Sequence, residues 1–304
     1  MPSLAATKTA NAEAIFPYRP VALFVGGTSG IGQAIAEALA RYTKGNVHII
    51  LCGRNKSAAE KIIDSFPTSE TSKYEFLECD ASKLKNVAVA CEVLRKERGI
   101  SKINYMVLSQ GYFARKAQFY DNGEGLDEFA SLSFYSRYKF VLELLPLLQA
   151  AKSSGEEARI LTVMGAGLGR PVDMSNIGFK KEWSGLGTTD EAPTYNSAAV
   201  EAFAKRNPGL SFTHCHPGLV NTPLKYPEGI LWAIGNWIAT SFVKLRPSDC
   251  GEWQVSNLLS PAKGSGAFHV NQNADPVPAN KLHLSEEVND AIYAHLLETL
   301  DAKK

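Results

Sequence analysis

The sequence of 304 residues contains only five cysteines, Cys52, Cys79, Cys91, Cys215 and Cys250, widely scattered and without a CxxC pair. An odd, dispersed set argues against a disulfide framework and against a structural zinc, and a reducing, cytoplasmic setting is expected. His283, His295 and the acidic residues lack ligand spacing, so no metal site is expected either. No long block of one charge sign occurs, and 32 basic against 31 acidic residues leave a formal net charge of +1. That balance gives no electrostatic footprint for nucleic acid or for an anionic membrane. Residues 1–18 lack the continuous apolar stretch of a secretory signal and read as a loose N-terminal arm. The longest apolar run, Gly229 to Val243, is shorter than the ~20 residues of a membrane span. Apolar residues themselves are plentiful at 45%, which is ample for a large core and excludes disorder.

Short apolar, β-branched runs alternate with longer segments of helical period. The strand candidates are Val21–Val25, Val47–Leu51, Tyr74–Leu77, Tyr105–Leu108, Arg159–Met164, Leu210–Cys215 and Ala267–Val270. Between the first two, Ile31, Ile35, Leu39 and Tyr42 are spaced to share one helix face. Further helices are expected over Ser57–Phe66, Ser82–Lys96, Gly125–Leu148 and Ser285–Leu300. This alternation predicts an α/β fold: a doubly wound, Rossmann-type parallel sheet of about seven strands in the order 3-2-1-4-5-6-7. No repeat or linker interrupts it, so residues 19–304 are expected to form one domain. The helix holding Tyr135, Tyr138 and Leu142 is apolar over more than one face, and a homodimer or homotetramer contact is expected through it.

The most informative segment follows the first strand: Gly26-Gly27-Thr28-Ser29-Gly30-Ile31-Gly32, then a helix. Glycines at this spacing let the backbone turn tightly and approach a pyrophosphate, and the helix N-terminus supplies N–H donors and a positive dipole end. Arg54 stands 22 residues beyond Gly32, at the end of the second strand, followed by Asn55. No carboxylate occupies Leu51, Cys52 or Gly53 to hold a free ribose 2′-hydroxyl. An arginine there can pair with a 2′-phosphate, which favours NADP over NAD; the alternative is a solvated arginine at a strand end.

On these residues the chain resembles the short-chain dehydrogenase/reductase family over about residues 20–275. The glycine loop matches the family's TGxxxGxG, with Val25 in place of the threonine. The resemblance implies that Gly26, Thr28, Ser29, Gly30, Ile31, Gly32, Arg54 and Asn55 line the nucleotide and that Asp80 contacts the adenine. Ser109-Gln110-Gly111 sits where the family has Asn-Ala-Gly, and Pro217, Gly218, Val220 and Thr222 match the stretch that wraps the nicotinamide. The pattern after Trp183 is similar to a divergent branch found in fungal secondary-metabolite gene clusters, which implies a hydrophobic small-molecule substrate.

The family's catalytic pattern is eroded. The serine that should close the fifth strand is Gly165, and the asparagine of the long helix is Ser133. Tyr195 begins Tyr-Asn-Ser-Ala-Ala, so Ala199 holds the lysine position. A tyrosine slot two turns earlier falls near Gly187 or Thr188, with Ala192 as its lysine, and Pro193 fits the first turn of a shortened helix. Tyr195 and His216 are the catalytic candidates, against packing and strand-end alternatives. Tyr135 and Lys139 form a second YxxxK on the wrong helix, and His214 reads as a core residue. The resemblance implies an apolar lid around residues 223–245, including Trp232 and Trp237; the alternative is burial of this segment against the core or a second subunit. The expected function is an NADP-dependent oxidoreductase acting on a carbonyl or hydroxyl of a hydrophobic molecule. The alternatives are a non-redox enzyme (isomerase, cyclase or dehydratase) on the same fold, or a non-catalytic NADP-binding protein.

Overall fold

A computed structural model describes residues 3–112, 119–178, 185–223, 245–260 and 264–303. Seven parallel strands, β1 (Val21–Val25), β2 (His48–Gly53), β3 (Lys73–Glu78), β4 (Tyr105–Leu108), β5 (Arg159–Val163), β6 (Ser211–Cys215) and β7 (Gly266–Val270), form one sheet. Their order is β3-β2-β1-β4-β5-β6-β7, as the sequence predicts. The helices are α1 (Leu4–Ala12), α2 (Gly30–Tyr42), α3 (Lys56–Asp64), α4 (Leu84–Glu92), α5 (Glu128–Ala130), α6 (Ser136–Ser153), α7 (Gly185–Arg206), α8 (Pro247–Leu259) and α9 (Glu286–Asp301). A π-helical turn, Ser131–Tyr135, joins α5 to α6. None of the described helices is long and apolar enough to cross a membrane.

The central strands are apolar on both faces because helices cover both. Leu23 and Val25 of β1 point into one layer with Met106, Leu108 and Ile160, beneath α4, α6, α7 and α9. Ala22 and Phe24 point into the other with Ile49, Leu51, Val107 and Leu161, beneath α2, α3 and α8. A one-residue slip in any of these strands would exchange the layers, so the alternation itself fixes the register.

Three expectations are corrected. The arm is not loose: Ser3 caps α1, and the Asn11 side-chain amide donates to the Glu252 carbonyl oxygen at 2.9 Å. Buried Glu252 also accepts from Arg41 and Tyr42, so one carboxylate ties α1, α2 and α8 together. Helix α7 is not shortened to a start at Pro193; it begins by Gly185 and carries that proline inside. The tyrosines expected to meet a second subunit are covered within the chain, Tyr135 by α9 and Tyr138 by α7, where its hydroxyl donates to Asn196 O at 2.9 Å. Tyr135 and Tyr138 are 2% and 1% exposed, and the Tyr135 hydroxyl meets His295 Nε2 at 2.8 Å. Phe203 and Tyr293 pack edge to face between α7 and α9, with the Arg206–Asp290 pair at the rim.

Candidate functional site at the carboxyl edge of the sheet

The glycine loop is built on backbone contact. Gly26 sits at φ +81°, a conformation that L side chains rarely adopt, and its N–H donates to Cys52 O at 2.9 Å. A Cβ on Gly32 would lie 2.3 Å from Ser109 Oγ and 2.5 Å from Gly26 O, so the start of α2, the turn after β1 and the end of β4 meet with no room for a methyl group. Ser109 Oγ donates to Val25 O at 3.1 Å and holds that junction. Ser29 occupies the N-cap of α2 in extended conformation, and its hydroxyl makes no capping bond. The first-turn N–H groups of α2 are therefore not claimed by a side-chain cap, as an anion site at a helix N-terminus requires.

Other parts of the nucleotide pattern gather here. A Cβ on Gly53 would touch Thr28 at 3.0 Å, which brings the end of β2 against the loop, and Arg54 follows, exposed and paired with no carboxylate among the described residues. Asn55 is used locally: its Oδ1 accepts from Ala58 N at 3.0 Å and caps α3. Asp80 Oδ1 accepts from the N–H and hydroxyl of Ser82, which fixes its carboxylate after β3. Thr222 packs at Gly30, where a Cβ would stand 3.1 Å from its Cγ2. Val220 bridges to Leu245, and the Leu245 N–H donates to Leu219 O at 2.8 Å, so the two ends of the expected lid meet beside the loop. The lid itself, with Trp232 and Trp237, lies outside the described residues.

The other half of the edge has been rebuilt. Beside Gly165 stands Pro193: a Cβ at Gly165 would lie 3.3 Å from the proline Cγ, so α7 fills the slot of the family's serine. The Gly165 N–H donates to His214 Nε2 at 3.3 Å, which leaves the ring proton on Nδ1, 2.9 Å from Ser197 Oγ. Burial holds the His214 pKa well below the ordinary histidine value, so the ring is neutral. Ser133 turns its hydroxyl back to Phe129 O. Asn196 donates to Ser133 O and Ala192 O, while its Oδ1 is buried without a partner.

The two catalytic candidates are not brought together. Tyr195 is fully buried, edge to face with Phe134 at 5.3 Å, and its hydroxyl accepts from Gly178 N at 3.0 Å. Burial raises its pKa, the opposite of what a proton donor held by a lysine shows. His216 ends β6 half-buried, its N–H bound to Val270 O at 2.9 Å and its Nδ1 buried without a partner; burial lowers its pKa. Lys139, the partner of Tyr135 in the second YxxxK, pairs with Glu143 at 3.6 Å.

Sequence reasoning missed Arg137, which is fully buried across the ends of β4 and β5. Its Nη1 donates to Leu108 O, Thr162 Oγ1 and Val163 O at 2.7–2.9 Å, and its Nη2 to Gln110 O. The available signal was an arginine flanked by aromatic residues, Phe134, Tyr135, Tyr138 and Phe140, in a helix expected to be buried.

The short chain dehydrogenase family description matches residues 20–171. A short-chain dehydrogenase/reductase of Stachybotrys chartarum is 30% identical, over 88% of this chain and 80% of its own. The chain belongs to the short-chain dehydrogenase family. An oxidoreductase of Emericella nidulans is 28% identical over 92% of each chain. Among solved structures, an alcohol dehydrogenase from Thermococcus sibiricus complexed with 5-hydroxy-NADP superposes with a TM-score of 0.57 at 20% identity, covering 86% of this chain and 99% of that one. A 3-ketoacyl-(acyl-carrier-protein) reductase from Brucella melitensis complexed with NADH gives 0.59 at 21%, covering 85% and 99%. These two show the shared fold. The family membership fits a divergent chain resembling those of fungal secondary-metabolite clusters, with its catalytic tetrad eroded at Ser133, Gly165 and Ala199.

Proposed function

We propose that this family member is an NADP(H)-dependent oxidoreductase acting on a carbonyl or hydroxyl of an apolar small molecule in secondary metabolism. The observation that carries the proposal is the junction at Gly32, where α2 presents its uncapped first turn and no side chain fits between loop and β4. The family's nicotinamide nucleotide fits this cradle, and when bound it supplies the hydride transfer. Gly26, Thr28, Ser29, Gly30, Ile31 and Gly32 would hold the pyrophosphate, with Arg54 on the 2′-phosphate and Asp80 toward the adenine. Ser109, Gly111, Pro217, Gly218, Val220 and Thr222 would line the nicotinamide half. Asn55 contributes by capping the helix behind Arg54. All five cysteines are free and buried, which agrees with a reducing, cytoplasmic setting.

An apolar substrate agrees with the side chains left exposed just beyond β5 and β6. Leu168 is 62% exposed and Leu219 53%, with Met174 also open to solvent. His216 is the remaining candidate to meet the substrate, because Tyr195 is enclosed. The closed slot at Gly165 favours a second reading, non-redox chemistry with the nucleotide kept as a structural ligand.

Calorimetric titration with NADPH and NADH tests the proposal. NADPH is expected to bind more tightly, and Arg54→Ala is expected to remove roughly ten- to hundredfold of its affinity, the contribution of a charged arginine–phosphate contact, while sparing NADH. Equal affinities in the unmodified protein would make Arg54 a surface residue only. Consumption of NADPH with apolar ketones separates the redox reading from the non-redox one.

A further inference from the structure

Arg137 is a buried cation whose charge nothing above uses. It is 2% exposed on α6, and its four acceptors, Leu108 O, Gln110 O, Thr162 Oγ1 and Val163 O, are all neutral. Its Nε is buried without a partner. No carboxylate pairs with it among the described residues; the ionisable side chains beside it include Tyr138, whose pKa burial raises, and His214, whose pKa burial lowers, so both are neutral at pH 7. Burial lowers its pKa to about 10, so it remains protonated at pH 7. Neutral acceptors reduce the cost of burying a guanidinium but leave its charge uncancelled, and an uncancelled charge in a poorly solvated place acts on whatever binds beside it.

In open α/β sheets the ligand lies in the crevice outside the carboxyl ends of the strands. With the pyrophosphate on the loop after β1 and the adenosine half toward β2 and β3, the other half of a dinucleotide extends over β4 and β5. The Arg137 guanidinium spans those two strand ends, and a Cβ on Gly111 would stand 3.6 Å from its Nη2. A nicotinamide ring carries a positive charge when oxidised and none when reduced. We propose that Arg137 makes the site discriminate between redox states of the nucleotide: its fixed charge repels the oxidised ring and leaves the reduced ring untouched. The protein then retains NADPH and releases NADP+. This rests on the nucleotide site proposed above, and commits it to a resident reduced cofactor.

The test is calorimetric titration of NADPH and NADP+ into the intact protein and into Arg137→Met, Arg137→Gln and Arg137→Lys, with melting temperatures taken in parallel. The unmodified protein is expected to favour NADPH on the order of tenfold, the effect of a unit charge ~10 Å away at an effective dielectric of ~20. The neutral variants are expected to lose that ratio, mainly by binding NADP+ better, and Arg137→Lys to keep it. A merely structural arginine would weaken both nucleotides together and leave the ratio unchanged, which would overturn the proposal. So would equal affinities in the unmodified protein, a result that stands even if the neutral variants do not fold. If neither nucleotide binds the unmodified protein, the nucleotide site itself is wrong, a failure distinct from an unbiased site.

Discussion

Two stretches of the same sheet edge have diverged in opposite ways. From β1 to β4 the backbone is packed so closely that Gly26, Gly32 and Ser109 leave no freedom to vary, and the first turn of α2 stays open for a ligand. From β5 to β6 the stretch that resembles the family's proton-transfer pattern holds Gly165 and Ala199, and the space beside Gly165 is filled by the Pro193 ring. Binding a dinucleotide depends on backbone shape, which tolerates few substitutes. Proton transfer depends on a few side chains, which can be exchanged while the fold survives.

Four changes would break or sharpen that contrast. The largest effect is expected from Gly32→Ala, whose methyl group meets backbone that cannot retreat. Thermal unfolding should show a loss of about 3 kcal/mol together with lost NADPH binding. A stable, nucleotide-binding Gly32→Ala protein would mean the loop is looser than its contacts imply.

Acid comes next. Burial lowers the pKa of His48 from 6.5 to about 4, despite Glu75 at 3.0 Å. The unfolded chain takes up that proton near 6.5 and the folded chain only near 4, so the unfolded state binds more protons in between and stability falls as pH drops through that window. The neutral, buried His214 adds in the same direction. The melting temperature should fall by several degrees across this range, and His48→Gln should flatten part of the slope. A flat profile in the unmodified protein would show that neither ring is buried as described.

Tyr195→Phe removes a hydroxyl that the Gly178 N–H uses. A stability loss of about 2 kcal/mol is expected, with NADPH affinity and any turnover per folded molecule unchanged. Abolished turnover in a well-folded variant would return Tyr195 to the chemistry. The smallest effect is expected from Gly165→Ser, which must push the Pro193 ring aside at a cost of about 1 kcal/mol and should not raise carbonyl reduction. A gain in rate would show that the slot is open and only lacked its hydroxyl.

The sheet was legible because parallel strands buried on both faces read as continuous apolar runs, as Val21–Val25 and Tyr105–Leu108 do. The glycine loop was legible because its spacing is dictated by backbone contact. Four features were not. Helix α1 is held by Asn11 on Glu252, a contact 241 residues apart in sequence that no local pattern announces. Helix α8 crosses α2 at Gly251, where a Cβ would lie 2.6 Å from Ala34 O, and one glycine among mixed residues gives little periodicity. The apolar excess of α6 is legible, but which element covers it is not, and Tyr138 is covered by α7 within the chain. Tyr195 was singled out by its neighbours in sequence, yet the direction of its side chain is set by Phe134 and the Gly178 turn.

Amide hydrogen exchange with and without NADPH tests the contrast between the two stretches most directly. Binding should protect Gly26–Gly32 and Ser109–Gly111 while leaving the contact between α7 and α9 unchanged. Protection confined to α7 and α9, or none at the glycine loop under saturating NADPH, would contradict the assignment of the nucleotide to the β1–β4 side.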